Sequence, residues 1–352
     1  MNIYTVTLAG LGDIIDTFAS VIWNMQFFGL GDFELVVPAT EKNLTILAPH
    51  VLLVREPDIV ANGYDNVMRI ENITVDFDTE KGWTMTLSGG GLKKILGQRI
   101  VWAQTNLTGS VETGIRQVIT ENVINPSVAA RKIPNFVLET AHGYTDTFDV
   151  QLFGEKISDW LTEVGQTYGI GWDVVIRNGK YQFTLKKGTD RTYDQNAVVP
   201  VVFSPEYDNL LSSSYVYESQ EYSNAALIGG EGEGTDQITA SIGSATGLNR
   251  FETYIDGSNV SSNGEIITLQ TYINMLKNYG KEQLAKTAFT EKVEGQIVQN
   301  DMYELGRDYF LGDIVQIKNS FVEATSRIIE IIYSEDENGG QLIPTFGNWE
   351  GE

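Results

Sequence analysis

Two segments near opposite ends of the chain share a Gly-Asp step that opens an aliphatic run. The first is Gly31-Asp32-Phe33-Glu34-Leu35-Val36-Val37, and the second is Leu311-Gly312-Asp313-Ile314-Val315-Gln316-Ile317. Glycine accepts the backbone angles of a tight turn, and aspartate caps that turn before a strand begins. The pattern therefore predicts two β-strands that start from similar turns, one near each end of the chain.

The first hundred residues show the pattern of short strands joined by turns. Between Ser20 and Phe28, the apolar residues Val21, Trp23, Met25 and Phe27 occupy alternate positions, which is typical of a half-buried strand. Further strands are predicted at 33–38, 51–55, 67–76 and 83–88. Hairpin turns are predicted at Asn62-Gly63 and at 79–82. Several short strands in sequence favour a small barrel.

The middle of the chain has helical patterns. Ser110 is a good cap for a helix that Asn125-Pro126 would end. A second helix is predicted from Glu155 to Tyr168, with Gly169 as its stop. A hairpin follows, with strands at 171–177 and 180–186 around Asn178-Gly179.

Strands return after about residue 201. The glycine and glutamate run at 229–234 predicts a flexible acidic loop, and a long helix is predicted at Leu269–Phe289, with Gly280 as a weak point. Glu335-Asp336-Glu337-Asn338-Gly339-Gly340 has the composition of a hairpin tip, and the last five residues are expected to fray.

The order of these features resembles the minor tail proteins of long-tailed bacteriophages, which form the hub at the tip of the tail tube. The resemblance covers about residues 13–105 and 295–347. The motifs that carry it, in order, are Trp23, the Phe27-Phe28-Gly29 turn, the first Gly-Asp strand, Ser88-Gly89-Gly90-Gly91-Leu92, Arg99-Ile100, the second Gly-Asp strand, Arg327-Ile328-Ile329-Glu330-Ile331-Ile332 and Pro344-Thr345-Phe346-Gly347.

The resemblance implies an α+β, mainly β fold with two small β-barrel-like domains and an inserted α+β domain. The expected limits are 1–105 for the first barrel, 106–200 for the insert, 201–335 for the second barrel with the long helix, and 336–352 for a hairpin end and tail. The implied function is a structural one in the virion, at the tail tip. A homotrimer would adapt the six-fold tube to a three-fold tip around a channel for DNA ejection, and its partners would be distal tail or tube, tape-measure and tip or fibre proteins.

Charge argues against nucleic-acid recognition. The sequence has 47 acidic and 24 basic side chains, for a net charge of −23. Affinity for nucleic acid comes largely from Lys and Arg that displace counterions, so we expect no sequence-specific nucleic-acid binding. We expect the acidic excess to favour the channel wall, where DNA has to pass without binding.

The sequence contains no cysteine, which excludes disulfides and thiolate chemistry. The first basic residue is Lys42, and no run reaches the roughly 18–20 apolar residues that spanning a bilayer requires. We therefore expect synthesis in the host cytoplasm, no cleaved signal and no membrane insertion.

Only two histidines, His50 and His142, could act as a catalytic base or a metal ligand. His50 precedes a predicted strand and is interpreted as a turn residue. His142 has Asp146 and Asp149 nearby, which keeps a Ser-His-Asp arrangement conceivable, but no Gly-x-Ser-x-Gly elbow presents a nucleophile. With two histidines in all, a histidine-rich zinc site would need carboxylates to complete it.

Cation and phosphate sites are also weakly supported. Asp76-Phe77-Asp78-Thr79-Glu80 has the alternating oxygens of a calcium loop, but Lys81 and Leu87 stand where an EF-hand needs Gly and Glu. Glu231, Glu233 and Asp236 are expected to stay hydrated. Gly280-Lys281 lacks the rest of a phosphate-binding loop. We therefore predict no catalytic residue, no cofactor and no metal ligand.

Two other functions stay open. A cell-wall glycan hydrolase could take its carboxylate pair from anywhere in the chain, and a carbohydrate-binding adhesin is the third hypothesis. Sugar clefts usually combine carboxylates with exposed aromatic rings, whereas the tryptophans here lie in periodic patterns that are typical of a core. That pattern disfavours both alternatives.

Overall fold

The computed structural model describes residues 1–80, 82–261, 267–287, 290–297, 302–318, 320 and 323–349. These residues form a mainly β protein, which confirms the predicted fold class.

The helices are α1 Glu41–Ile46, α2 Val111–Ile119, α3 Ile157–Tyr168 and α4 Leu269–Ala285. The strands are β1 Ile3–Thr7, β2 Gly10–Ile15, β3 Ser20–Gln26, β4 Asp32–Pro38, β5 Leu52–Arg55, β6 Ile59–Val60, β7 Gly63–Tyr64, β8 Met68–Asp78, β9 Gly82–Gly91, β10 Thr105–Ser110, β11 Phe136–Leu138, β12 Thr147–Leu152, β13 Gly171–Arg177, β14 Lys180–Lys186, β15 Val202–Phe203, β16 Leu210–Glu218, β17 Ala225–Gly229, β18 Thr239–Ile242, β19 Glu252–Asp256, β20 Thr290–Ile297, β21 Ile314–Lys318, β22 Glu323–Asp336 and β23 Gly339–Trp349.

One large sheet, named here the main sheet, takes strands from both ends of the chain. Its order is β16-β20-β23-β22-β3-β4-β9-β8-β5-β1-β2, with β21 on β22 and β15 on β21. At the junction, Trp23 of β3 pairs with Phe33 of β4 on one side and with Tyr333 of β22 on the other. The two β-rich segments expected as separate barrels are therefore hydrogen-bonded to each other.

The alternation predicted for β3 decides which of its side chains enter the core. Val21, Trp23, Met25 and Phe27 are all buried, while Ile22 between them is 41% exposed. Because successive side chains of a strand point to opposite faces, this pattern fixes the register of β3 against both neighbours. The predicted strands at 33–38, 51–55, 67–76 and 83–88 are confirmed as parts of β4, β5, β8 and β9.

A buried ion pair lies at the junction of β3 and β22. The Nε of Arg55 donates to the Asp58 carboxylate at 2.6 Å, and the guanidinium lies 5.6 Å from the ring centre of Trp23 and 5.3 Å from that of Tyr333. Burial raises the pKa of the Asp58 carboxyl, against the opposing effect of Arg55. The pair thus links β5, β3 and β22 through one cation.

The insert, residues 106–200, forms helices and strands that pack on one side of the main sheet. Ser110 caps α2 by accepting from the N–H of Thr113, and α2 continues through one π-helical turn to Asn125, as predicted. The helix α3 ends at Gly169 in the left-handed conformation, as predicted. Strands β13 and β14 pair around Asn178-Gly179, also as predicted.

The sheet of the insert also includes a strand from the first hundred residues, because β7 pairs with β13. The domain limits at residues 105 and 200 stay predictions.

A second packing unit occupies residues 225–285 and is named here the small unit. Its strands β18-β17-β19 form a separate sheet, and α4 packs on that sheet around buried Ile228, Tyr272 and Leu276. The helix α4 continues through Gly280 without a break. A Cβ there would lie 2.7 Å from Ile228 side-chain carbons, so glycine permits the close contact of helix and sheet. The helix ends at Ala285 instead of Phe289, which lies outside the described residues.

Candidate interaction surfaces

The second Gly-Asp step is a buried anchor for the segment that leaves the insert. The Asp313 carboxylate is 2% exposed and accepts hydrogen bonds from the N–H groups of Thr189 at 2.8 Å and Phe310 at 3.0 Å. It also accepts from the Nε of Arg191 at 2.6 Å. This carboxylate therefore fixes the exit of the insert to the turn before β21.

The glycine of the same step is required by packing as well as by backbone angle. Gly312 has a φ of +98°, and a Cβ there would lie 2.1 Å from the ring of Phe27, which is fully buried. Arg327 lies over the same ring at 5.6 Å and donates to the Gly312 carbonyl at 2.8 Å. The second copy of the motif thus belongs to the contact between the main sheet and the insert.

The first Gly-Asp step lies on the surface instead. Gly31 has a φ of +68°, which the turn requires, and the exposed Asp32 carboxylate accepts one hydrogen bond from Asn24 at 3.2 Å. The sequence pattern predicts a strand start at both ends correctly. It does not distinguish an exposed carboxylate from a buried one, because burial depends on what packs above the turn.

Two shallow clefts meet at Asp32 and are named here the acidic clefts. One has a volume of about 440 Å³ and is lined by Asp32, Asp159 and Glu163 among others. The other has a volume of about 380 Å³ and includes Asp32, Glu34 and Glu71, with Lys94 bonded to Glu71. The first motif therefore contributes to a concave surface rich in carboxylates.

His142 is not part of a Ser-His-Asp arrangement. Its Nε2 lies 3.0 Å from the Glu139 carboxylate, and its ring stacks on Tyr144 at 5.1 Å. Asp146 forms an ion pair with Lys187, and Asp149 lies in β12, where burial raises the pKa of its carboxyl. His142 and Asp146 therefore have separate partners, Glu139 and Lys187.

The residue that organises this loop is Glu112, which the sequence motifs did not indicate. Its buried carboxylate accepts hydrogen bonds from the N–H groups of His142 at 2.7 Å, Gly143 at 2.7 Å and Tyr144 at 2.9 Å. Burial favours a higher pKa for Glu112, but the three N–H donors outweigh it and the pKa is lowered. The sequence feature that could have indicated Glu112 is its position as an acidic residue in the first turn of α2.

We expect Glu112→Gln to reduce the free energy of unfolding by about 1–3 kcal/mol at pH 7, because one amide oxygen cannot replace a carboxylate that accepts three N–H bonds. The folded-state pKa is below the unfolded value of 4.5, so this stabilisation is present above pH 4.5 and is lost as pH falls through the folded-state pKa. Urea unfolding at pH 7 and pH 4 measures both effects. The control is His142→Ala, which keeps the backbone N–H and is expected to change stability by less than about 0.5 kcal/mol; equal losses in the two variants would contradict the assignment.

The other sequence candidates lie in turns and loops. His50 has a left-handed φ of +72° and donates its N–H to the Ile70 carbonyl, so it is a turn residue, as predicted. Asp76–Glu80 form the end of the β8–β9 hairpin, where the Asp78 carboxylate accepts from the N–H of Glu80 at 2.8 Å. In the predicted acidic loop, the Glu231 carboxylate accepts a hydrogen bond from the Ser261 hydroxyl at 2.7 Å, and the Glu231 N–H donates to the Tyr272 hydroxyl. The start of the loop is therefore anchored to the small unit.

The β8–β9 hairpin carries an exposed aromatic pair, which corrects one sequence inference. Trp23, Trp160 and Trp172 are buried as expected, but Trp83 is 58% exposed and Trp102 is 52% exposed. Trp83 packs beside Phe77 with ring centres 5.1 Å apart. We name the end of the hairpin, with exposed Val75, Asp76, Phe77, Glu80 and Trp83, the hairpin tip.

Trp102 belongs to a different surface, named here the cationic patch. Residues 99–102 and 153–157 run side by side, with Ile100 bridged to Lys156, and Arg131 lies over the Trp102 ring at 4.7 Å. Arg99, Arg131, Lys132 and Lys156 supply the charge, and Ile100, Trp102 and Phe153 supply exposed apolar area. No sequence pattern predicts this patch, because its cations come from three separate segments.

A carboxyl with a displaced pKa lies where the small unit meets the insert. Glu282 of α4 is 9% exposed, and its Oε1 has no hydrogen-bond partner within the described residues. Burial first, and then the carboxylates of Glu163 and Glu155, raise the pKa of Glu282 to about 7, against the effect of Lys286. Lys286 itself pairs with Glu163 at 2.7 Å across the same contact.

Within the described residues, no group of three or more His, Asp or Glu side chains is arranged to hold a metal ion. No helix in that part of the chain is long and apolar enough to cross a membrane.

Comparison with known proteins identifies a family. The family model described as Siphovirus ReqiPepy6 Gp37-like protein matches residues 1–348. A search of curated proteins finds no match.

Solved structures of tail proteins share the fold over nearly the whole chain. The 43 kDa tail protein of prophage MuSo2 from Shewanella oneidensis has a TM-score of 0.63 at 13% identity, covering 99% of this chain and 98% of that one. A tail protein from Neisseria meningitidis MC58 has a TM-score of 0.59 at 13% identity, covering 99% and 95%. Prophage tail protein gp18 from Listeria monocytogenes EGD-e has a TM-score of 0.53 at 9% identity, covering 100% and 96%. At these identities the likeness concerns the fold alone.

Proposed function

The chain belongs to the Siphovirus ReqiPepy6 Gp37-like protein family, and from that membership we propose that it forms the hub at the tip of a phage tail. The family match confirms the resemblance to phage tail proteins that the Gly-Asp strands indicated, and it supports a structural role in the tail. The observation that carries the proposal is its extent, since residues 1–348 include both Gly-Asp strands, the insert and the small unit.

In the proposed hub, three copies surround a central channel. Two β-rich segments per copy supply six positions that face the six-fold tail tube, while the assembly keeps a three-fold axis toward the tip. A closed ring needs contacts between different surfaces of neighbouring copies. The pairing of β3 with β22 supports this arrangement, because it holds the two β-rich segments of one copy in a fixed relation.

The acidic clefts are our candidates for the channel wall. A basic lining would bind DNA through counterion release, whereas carboxylates such as Asp32 and Glu34 would let it pass. The proposed partners are the distal tail or tube proteins, the tape measure and tip or fibre proteins, with the hub located at the tail tip of the virion.

The oligomeric state tests the proposal. We expect native mass spectrometry to give a trimer, or a monomer that becomes a trimer once the neighbouring tail proteins are added, because a small interface often needs a template to hold a ring. Cryo-electron microscopy of the virion should then show this protein on a three-fold axis at the tip. A stable dimer or hexamer without a three-fold axis, in solution and in the virion, would refute the hub.

A glycan hydrolase remains the alternative, since the acidic clefts hold several carboxylates and Trp83 and Trp102 are exposed. We propose that the protein is not an enzyme. Incubation with purified peptidoglycan should release no muropeptides, and measurable release would favour the alternative.

A further inference from the structure

We propose that the hairpin tip of one copy docks on the cationic patch of the next copy. The inference rests on the proposed ring of copies and names the surfaces that would close it.

The hairpin tip is an uncovered continuation of a core face. Along β9, Leu87 is fully buried and Met85 is 2% exposed, but Trp83 on the same face is 58% exposed. The exposure rises toward Trp83 because the neighbouring strands stop short of it. Strand β4 ends at Pro38 opposite Thr84, and β5 pairs with β8 only at Arg69 and Met68. Beyond these points the apolar face has no covering element within the described residues. Burying two aromatic rings would provide a strong driving force for association.

The hairpin tip is also acidic. Residues 76–81 contain three carboxylates, Asp76, Asp78 and Glu80, and a single cation, Lys81. Asp76 and Glu80 form no ion pair with the described residues. An apolar surface edged by carboxylates such as Asp76 and Glu80 fits an apolar surface edged by cations.

The cationic patch has that complementary character. In a chain of net charge −23, its four cations, Arg99, Arg131, Lys132 and Lys156, form no ion pair with a carboxylate of the described residues. The nearby Glu155 carboxylate is occupied by the N–H of Phe153 at 2.6 Å. Burial and the neighbouring Arg99 lower the pKa of Arg131, so an incoming carboxylate would relieve repulsion between these cations. Exposed Trp102 and Phe153 supply the apolar part.

The two surfaces lie at opposite ends of a strand. The hairpin tip is at the start of β9, and the cationic patch begins after the short 3₁₀ segment Leu92–Gln98 that follows its end. Strand β9 spans roughly 30 Å at about 3.3 Å per residue. Lys93 of the 3₁₀ segment donates to the Gln26 and Trp172 carbonyls, so the chain there turns toward the insert and away from the hairpin tip. The surfaces therefore meet between copies, in the head-to-tail manner that generates rings.

Charge reversal tests the contact. Asp76→Lys/Glu80→Lys reverses the hairpin tip, and Lys132→Glu/Lys156→Glu reverses the cationic patch without removing the internal hydrogen bonds of Arg131. Under the conditions where the wild type forms its ring, each reversal should weaken self-association at least tenfold. The chain with both reversals should recover to within about threefold, because its surfaces are complementary again. Controls are Glu337→Lys, at the exposed β22–β23 hairpin, and Lys180→Glu, at the exposed first residue of β14, which should both assemble normally.

A crosslink gives a second measurement if a reversed chain folds poorly. Because the sequence has no cysteine, Glu80→Cys combined with Lys132→Cys places the only two thiols on the two surfaces. Mild oxidation should give covalent dimers and trimers, and neither single variant should give a trimer. A three-fold hub in which single reversals assemble like the wild type and no crosslinked trimer forms would overturn this inference and leave the proposed function standing. Absence of a three-fold assembly of the wild-type chain in the virion would instead overturn the proposed function.

Discussion

Asp313→Ala is expected to lower the free energy of unfolding by about 3–5 kcal/mol. The Asp313 carboxylate is buried and accepts from the N–H groups of Thr189 and Phe310 and from Arg191 at 2.6 Å. Removing it leaves a largely buried guanidinium without its counter-charge and two N–H groups without their acceptor. Both consequences are costly in a low-dielectric interior. Urea unfolding followed by tryptophan fluorescence measures the change.

The first Gly-Asp step supplies a matched control. Asp32→Ala removes the same side chain from the same sequence step, but Asp32 is exposed and accepts one hydrogen bond from Asn24. We expect a loss below about 1 kcal/mol. If the two substitutions cost the same, the assignment of a buried anchor at Asp313 is wrong.

Glu282→Gln is expected to stabilise the protein at pH 8 by up to about 3 kcal/mol, since each pKa unit corresponds to about 1.4 kcal/mol. Burial, followed by Glu163 and Glu155, raises the pKa of Glu282 from 4.5 to about 7. The folded chain therefore binds more protons than the unfolded chain between these values. The neutral Glu282 carboxyl contributes its full stability below pH 4.5, and this contribution is lost as the pH rises to about 7. Above about pH 7 the full cost of burying the charged carboxylate is present. Glutamine keeps the shape of the neutral carboxyl and removes that penalty.

Melting temperatures of the wild type and of Glu282→Gln between pH 5 and pH 8 measure the effect. The two should be close at pH 5 and should diverge as the pH rises. Glu233→Gln, at an exposed position of the acidic loop, is the control and should follow the wild type throughout. Parallel curves for the wild type and Glu282→Gln would show that Glu282 does not titrate in this range.

The parts of the fold that sequence predicts well are those governed by local geometry. The alternation of apolar residues correctly predicts that Val21, Trp23 and Met25 are buried. The Asn178-Gly179 step correctly predicts a hairpin turn, and these two residues have φ of +49° and +70°. Gly169 ended α3 in the left-handed conformation, because only a residue without Cβ enters it freely. In each case the residues that determine the structure are neighbours in the sequence.

The parts that sequence did not predict depend on distant covering elements. Trp83 follows the same alternation as Leu87, yet β4 ends before reaching it, so one is exposed and the other buried. Gly280 is a poor helix former, but the side chain of Ile228, 52 positions earlier in the sequence, occupies the space that a Cβ at Gly280 would need. The cationic patch likewise exists only because three segments meet. A periodic pattern indicates which face a side chain is on, and the rest of the chain decides whether that face is covered.

The pairing of β3 with β22 has a consequence for the order of folding. Gln26 bonds to Glu330 across 304 residues, so the centre of the main sheet forms from parts of the chain that the ribosome produces far apart in time. Contacts this distant in sequence carry a high entropic cost of loop closure and slow the search for the native state. Until β22 emerges, one edge of β3 stays unpaired during synthesis and is open to mispairing with other nascent chains. The insert and the small unit are complete by residue 285, so their cores can form while the edge of β3 is still unpaired and β22 has not been synthesised.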